Sequence, residues 1–185
     1  MTDTERAKML RGELYRASDP VLVAARQRAR LLWMRFNASS PDHESDRLGI
    51  LMDLLGKVAP GAWVEPPFYC DYGTQIELED DVFINVACVF LDPAPIRIGA
   101  QTQLGPSVQL YTADHPREAA QRVAGPELAK PITIGRRVWI GGGTIVLPGV
   151  TIGDDTTIGA GSVVARDVPS GVVAVGNPCR VVRSL

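Results

Sequence analysis

The 185-residue chain has only three cysteines and two histidines, and no apolar run approaching the roughly 20 residues that a membrane span needs. Cys70, Cys88 and Cys179 are odd in number and show no CxxC spacing, which argues against a disulfide framework and a zinc site alike. A reducing cytoplasm is the expected setting. Excess positive charge is also missing: 19 Lys and Arg against 21 Asp and Glu leave a formal charge of -2, which offers no basic field to nucleic acid or to an anionic membrane. The opening Met1-Thr2-Asp3-Thr4-Glu5-Arg6 lacks the basic-then-apolar order of a signal peptide. The length suits one main core with a small appendage.

Residues 1–57 read as a helical segment of three short helices, with Asp3 or Thr4 as the first cap and breaks near Ser18-Asp19-Pro20 and Gly56. From Pro60-Gly61 onward valine, isoleucine, threonine and glycine take over. Every sixth residue is then a branched aliphatic: Ile134, Ile140, Val146, Ile152, Ile158 and Val164. Small residues follow most of them (Gly135, Gly141, Gly153, Gly159, Ala165), and Val138, Thr144, Val150, Thr156 and Ser162 stand four positions on. Ile98, Leu104 and Leu110 keep the same spacing, as do Leu78, Ile84 and Phe90.

A period of six is too short for helical solenoids or propellers, whose repeats run to roughly 20 to 50 residues. It predicts a mainly β protein, a left-handed parallel β-helix over residues 58–185, with each hexad forming one side of a triangular coil. Phe90 and Ile98 are eight apart, so Asp92-Pro93-Ala94-Pro95 is expected to bulge outward. The helices are expected to cover one end or flank of the coil, and the residues near Val181-Val182 to close the other. Residues 111–131 break the period and are expected to form a projecting loop without regular structure.

That loop holds His115, between Asp114 and Pro116; the other histidine, His43, lies in a polar helix start. Histidine titrates near neutral pH and can take a proton from a hydroxyl as its oxygen attacks an acyl carbon, so His115 is the candidate general base, set against a plain surface histidine. There is no GxSxG elbow, and Cys88 falls at a core position of its hexad, so a covalent acyl-enzyme is not indicated. A zinc enzyme on this fold would need three histidines, more than the chain contains, and no metal is expected.

Gly12-Glu13-Leu14-Tyr15 with Asp19, Trp63-Val64-Glu65-Pro66-Pro67, Cys70-Asp71-Tyr72-Gly73, Ile96-Arg97-Ile98-Gly99, Tyr111-Thr112-Ala113-Asp114-His115-Pro116, Val138-Trp139-Ile140-Gly141-Gly142 and Gly176-Asn177-Pro178 together carry a resemblance. Over nearly its full length the chain resembles the maltose and galactoside O-acetyltransferases of the hexapeptide-repeat family. The resemblance implies acetyl transfer from acetyl-CoA to a sugar hydroxyl, in a homotrimer whose active sites lie between subunits. It makes His115 the base and Asn85 the residue that orients it or polarises the reacting groups.

The same resemblance lays the cofactor beside Trp139, Gly142 and Ala160, gives the Gly142 N–H the oxyanion, and brings Arg166, Arg180 and Arg183 to the CoA phosphates. Tyr15, Asp19, Asp71 and Asp92 become candidate acceptor contacts. Pro93 and Ala17 stand where galactoside-type enzymes carry aspartate, which favours the maltose type. Two other readings remain: acetylation of an amine or other small hydroxyl compound by the same machinery, and a catalytically silent trimeric scaffold.

Overall fold

The computed structural model describes residues 3–185; Met1 and Thr2 of the N-terminal opening lie outside the described residues. Branched aliphatics every six residues build a three-sided parallel coil. The first face stacks Lys57–Val58, Ile76–Leu78, Ile96–Ile98, Ile132–Ile134 and Thr151–Ile152. The second stacks Trp63–Val64, Phe83–Ile84, Gln103–Leu104, Trp139–Ile140, Thr157–Ile158 and Val172–Val175. The third stacks Phe68–Cys70, Cys88–Leu91, Gln109–Tyr111, Ile145–Val146 and Val163–Val164. This is the left-handed parallel β-helix that the period predicts.

The register is the predicted one. Ile84, Leu104, Ile140 and Ile158 pair in succession on the second face, and Phe90, Leu110, Val146 and Val164 on the third. All of these are at most 1% exposed. Thr144, Thr156 and Ser162 are buried too, but each hydroxyl donates to a backbone carbonyl, so burial costs them little. A Cβ added at Gly141 would come within 2.4 Å of the Ala160 nitrogen of the next coil, so stacking demands glycine at this position.

We call the corner from first to second face A, that from second to third B, and that from third to first C. Corners A and B each use one left-handed residue per coil: Asp81, Gln101, Arg137 and Asp155 at A, and Ala87, Ser107, Gly143 and Gly161 at B. Six of these eight are not glycine, and they accept a local cost for the turn that the inter-coil ladder outweighs.

Three helices precede the coil: α1 (Glu5–Leu10), α2 (Pro20–Asn37) and α3 (Glu44–Leu54). Thr4 caps α1, through a hydrogen bond from the Ala7 N–H. Phe36, Leu51 and Leu54 join the same apolar core as Val64, Phe68 and Ile76, so the helices close the N-terminal end as expected. Asn37 completes the closure: its amide donates to the Phe68 carbonyl at 2.9 Å and accepts from the Phe68 N–H at 2.8 Å, standing in for a strand neighbour. At the other end Arg180–Ser184 pairs antiparallel with Val172–Val175. Val181 and Val182 stay about half exposed, so this strand covers an edge without entering the core.

Two expectations are corrected. Asp92, Pro93 and Ala94 do not bulge outward; they are buried at corner C, where Asp92 and Thr112 bind the backbone of neighbouring turns. The 111–131 segment is structured: Ala113–Asp114 pairs antiparallel with Leu128–Ala129, and a short helix α4 (Ala119–Val123) sits at the tip. It leaves no aliphatic period because it lies outside the coil's interior, and α4 buries no side chain.

The core account makes a paired prediction. Ile152→Ala removes an inward side chain and is expected to cost about 2–5 kcal/mol in urea unfolding. Thr151→Ala, its outward neighbour, is expected to cost under about 1 kcal/mol. Equal losses would contradict the inward register.

Candidate active site

The predicted site residues divide between two corners of the triangle. Asn85 ends a second-face strand at corner B, and the following residues of later coils stack there: Pro106, Gly142 and Ala160. Among the described residues the Gly142 and Ala160 amides donate no intrachain hydrogen bond; the amide at the equivalent place in Asn85's coil, Val86, donates to Asn85 Oδ1 at 2.8 Å. Corner B therefore presents two unpaired N–H groups in successive coils. Trp139, 58% exposed, stands outward on the adjoining second face. With the Asn85 oxygen so engaged, its NH₂ group remains as a donor.

His115 belongs to corner C. It follows the hairpin strand Ala113–Asp114, is exposed, and its backbone N–H donates to Asp114 Oδ1 at 2.9 Å. Arg117 holds the other Asp114 oxygen at 3.2 Å. His43 lies elsewhere, at the exposed start of α3, 3.6 Å from Asp46.

Tyr15 and Asp71 also come to corner C, around a cavity of about 190 Å³ lined with Ala17, Arg26, Tyr72, Pro93 and Glu127. Arg26 donates to the Tyr72 hydroxyl at 2.6 Å and the Ala17 carbonyl at 2.7 Å, and lies over the Tyr72 ring. Burial pushes the Asp71 carboxyl up, and Arg26 pulls it back. Among the described residues no hydrogen bond engages the Asp71 carboxylate, which leaves it available to a ligand. Arg26 and Glu127 were missed from sequence, because a helix arginine and a loop glutamate are ordinarily solvated charges.

One candidate acceptor contact is corrected, and a second is found at a helix cap. Asp92 is fully buried, and its carboxylate accepts from the backbone N–H groups of Asp71 at 3.0 Å, Tyr72 at 2.8 Å and Gln75 at 3.4 Å. It shapes the turn that carries Asp71 and presents no surface to a ligand. Asp19 caps α2, accepting from Val21 and Leu22, and does not line the cavity. A carboxylate directly before Pro20 at a helix start suits that role.

Arg166 and Arg180 line one small concavity with Asp167 and Cys179, and Arg183 lies on the same terminal strand as Arg180. All three arginines are exposed. Cys88 is fully buried, and burial pushes its thiol up to about 11, so it remains protonated and unreactive. A mainly apolar cavity of about 500 Å³ between α3 and Val58–Val64 touches none of the predicted site residues.

The parallel coil, with two unpaired backbone donors at one corner and a histidine hairpin at another, defines a β-helical class that comparison with known proteins makes narrower. Residues 8–59 match the maltose acetyltransferase hexapeptide capping motif, and residues 131–166 match six bacterial transferase hexapeptide repeats. The chain is 49% identical over 181 residues to nodulation protein L of Rhizobium meliloti, covering 98% of this chain and 99% of that protein. A maltose O-acetyltransferase structure from Clostridium difficile superposes with a TM-score of 0.98 at 46% identity, covering 100% of this chain and 99% of that one. A hexapeptide-repeat acetyltransferase from Vibrio cholerae, solved with acetyl coenzyme A, gives 0.92 at 40% identity, covering 98% of each chain. The chain belongs to the maltose and galactoside O-acetyltransferase family of hexapeptide-repeat acetyltransferases.

Buried Asp92 makes a pH prediction. Burial pushes its carboxyl up to about 7, against the pull of its three backbone donors. The unfolded chain ionises it near 3.8, so it favours the folded state most at low pH, and that contribution fades as pH rises from about 4 to about 7. Urea midpoints across this range are expected to fall with pH, and Asp92→Asn to flatten the fall. An unchanged slope in the variant would contradict this assignment.

Proposed function

We propose that this protein transfers the acetyl group of acetyl-CoA directly to a hydroxyl of a sugar, with His115 as general base, at sites shared between the chains of a homotrimer. The observation that carries the reading is the division between corners. The free Gly142 and Ala160 amides with Asn85 lie at corner B, while His115 and the Asp71 cavity lie at corner C, one side of the triangle away. A neighbouring coil brings a B corner against a C corner, and a cyclic trimer repeats that contact three times.

The chemistry follows from the residues. A sugar hydroxyl is too weak an acid to ionise in advance, so His115 takes its proton as the oxygen attacks the thioester carbonyl, and the CoA thiolate leaves. The Gly142 N–H meets the oxyanion that develops, and Asn85 supplies a further donor. The exposed backbone of corner B with the Trp139 ring suits the amide-bearing pantetheine arm, with the Ala160 N–H as a donor. Arg166 and Arg180, with Arg183 beside them, suit the CoA phosphates.

On the acceptor side Asp71 is the acceptor-facing group of a cavity whose size fits about one hexose ring. Ala17 and Pro93 line the same cavity where galactoside-type relatives carry aspartate, which supports a maltose- or glucose-like acceptor. The three cysteines fit a cytoplasmic setting, and no helix among the described residues is long and apolar enough to cross a membrane.

Thiol release from acetyl-CoA across maltose, glucose, galactosides and small amines tests the reading. Sugar-dependent turnover is expected, lowered about 10²–10⁴-fold in His115→Ala with the oligomer intact. Acceleration by amines alone would move the protein to N-acetylation. Turnover undiminished in the variant would remove His115 as the base.

A further inference from the structure

The hairpin that carries His115 is held from within by few bonds: Arg122 donates to the Pro116 and Arg117 carbonyls at 3.1 and 3.2 Å, and Arg117 to Asp114 at 3.2 Å. Its stem is two residue pairs, Ala113 with Ala129 and Asp114 with Leu128, and α4 at its tip buries no side chain. A ribbon so short is marginal in water. The imidazole is exposed and makes no hydrogen bond among the described residues. Something outside the hairpin must fix where it stands.

That support comes from the N-terminal segment, 112 positions away in sequence. Tyr15 pairs antiparallel with Glu127: its N–H donates to the Glu127 carbonyl at 3.0 Å and its carbonyl accepts the Glu127 N–H at 2.9 Å. The Tyr15 hydroxyl adds a third bond, donating to Glu127 Oε2 at 3.0 Å. Tyr15 is itself anchored, 2% exposed, among Met9 of α1, Leu22 of α2 and Tyr72 of corner C. Burial and the Glu127 charge raise the phenol's pKa, so it stays a donor throughout the working range. A Cβ at Gly12 would come within 3.1 Å of the Ala129 carbonyl, so the same segment also lies close along the stem.

We propose that Tyr15 and Glu127 are positioning residues that clamp the hairpin and thereby place His115, so that Tyr15 acts through the base instead of as an acceptor contact. This rests on the reading of His115 as the base. The path is continuous: corner C holds Tyr72, Tyr72 packs on Tyr15, Tyr15 holds Glu127, and the strand after Glu127 pairs with the one that ends at Asp114. Because Tyr15 and Glu127 also line the Asp71 cavity, a simple acceptor contact is the competing explanation, and kinetics separates the two.

The test uses the full-length protein with Tyr15→Phe, Glu127→Ala and Glu127→Gln, read by steady-state kinetics and amide hydrogen exchange. Displacing a base by about 1 Å costs on the order of 10²-fold, so Tyr15→Phe and Glu127→Ala are expected to lower kcat about 10- to 100-fold. The KM for acetyl-CoA is expected to stay within about twofold, and exchange at the amides of 113–115 to quicken. Glu127→Gln, whose amide oxygen still accepts the Tyr15 hydroxyl, is expected to retain kcat within about threefold.

A raised acceptor KM with kcat preserved would overturn the clamp in favour of an acceptor contact, as would equal damage from Glu127→Gln and Glu127→Ala. Loss of turnover in His115→Ala alongside parental kcat and exchange in Tyr15→Phe would overturn the clamp alone. Retained turnover in His115→Ala would overturn the base reading, and exchange at the amides of 113–115 would still decide whether Tyr15 holds the hairpin.

Discussion

Coil-on-coil stacking is the constraint on which the rest of the molecule depends. Each inward aliphatic is in register with the one below, and each strand's backbone bonds to the next coil, so side chain and hydrogen bond repeat on the same ladder. The ladder fixes which residues share a corner. Asn85, Gly142 and Ala160 are far apart in sequence, yet the register stacks their turns at one corner. The same close stacking crowds Gly105 and Gly141 against the next coil's backbone, and the corner leaves the Gly142 and Ala160 amides without partners among the described residues.

An interruption of the ladder carries His115, the proposed base. Ile134 pairs with Ile152, eighteen positions on, whereas Ile98 pairs with Ile134, thirty-six positions on, so one coil's length of chain is looped out between them. That excess is the histidine hairpin. Because it departs from corner C, it cannot disturb the donors at corner B. On the proposed reading, base and oxyanion donors stand on separate edges of the prism and meet when two prisms are set side by side.

Much of this was legible in the sequence because the interior of the coil tolerates so few residue types. The hexad predicted the inward residues one by one, and the scarcity of histidine pointed to His115. What the sequence hid were features whose cause lies across space. Asp92 looks like a ligand-binding carboxylate until its three backbone N–H partners, contributed by the previous coil, are known. That Asp19 caps α2 depends on where the helix begins. The 111–131 segment lacks an aliphatic period, yet it pairs with itself and with Tyr15 through backbone bonds that leave no mark in composition.

A site shared between chains is the central claim, and mixed oligomers test it most directly. His115→Ala chains and Asn85→Ala chains are each expected to be nearly inactive alone. Refolded or expressed together, they form interfaces in which an intact His115 from one chain faces an intact Asn85 from its neighbour, and a substantial fraction of turnover is expected to return. If base and asparagine act within a single chain, no mixed oligomer contains an intact site, and activity that stays at the level of the separate variants would contradict the account.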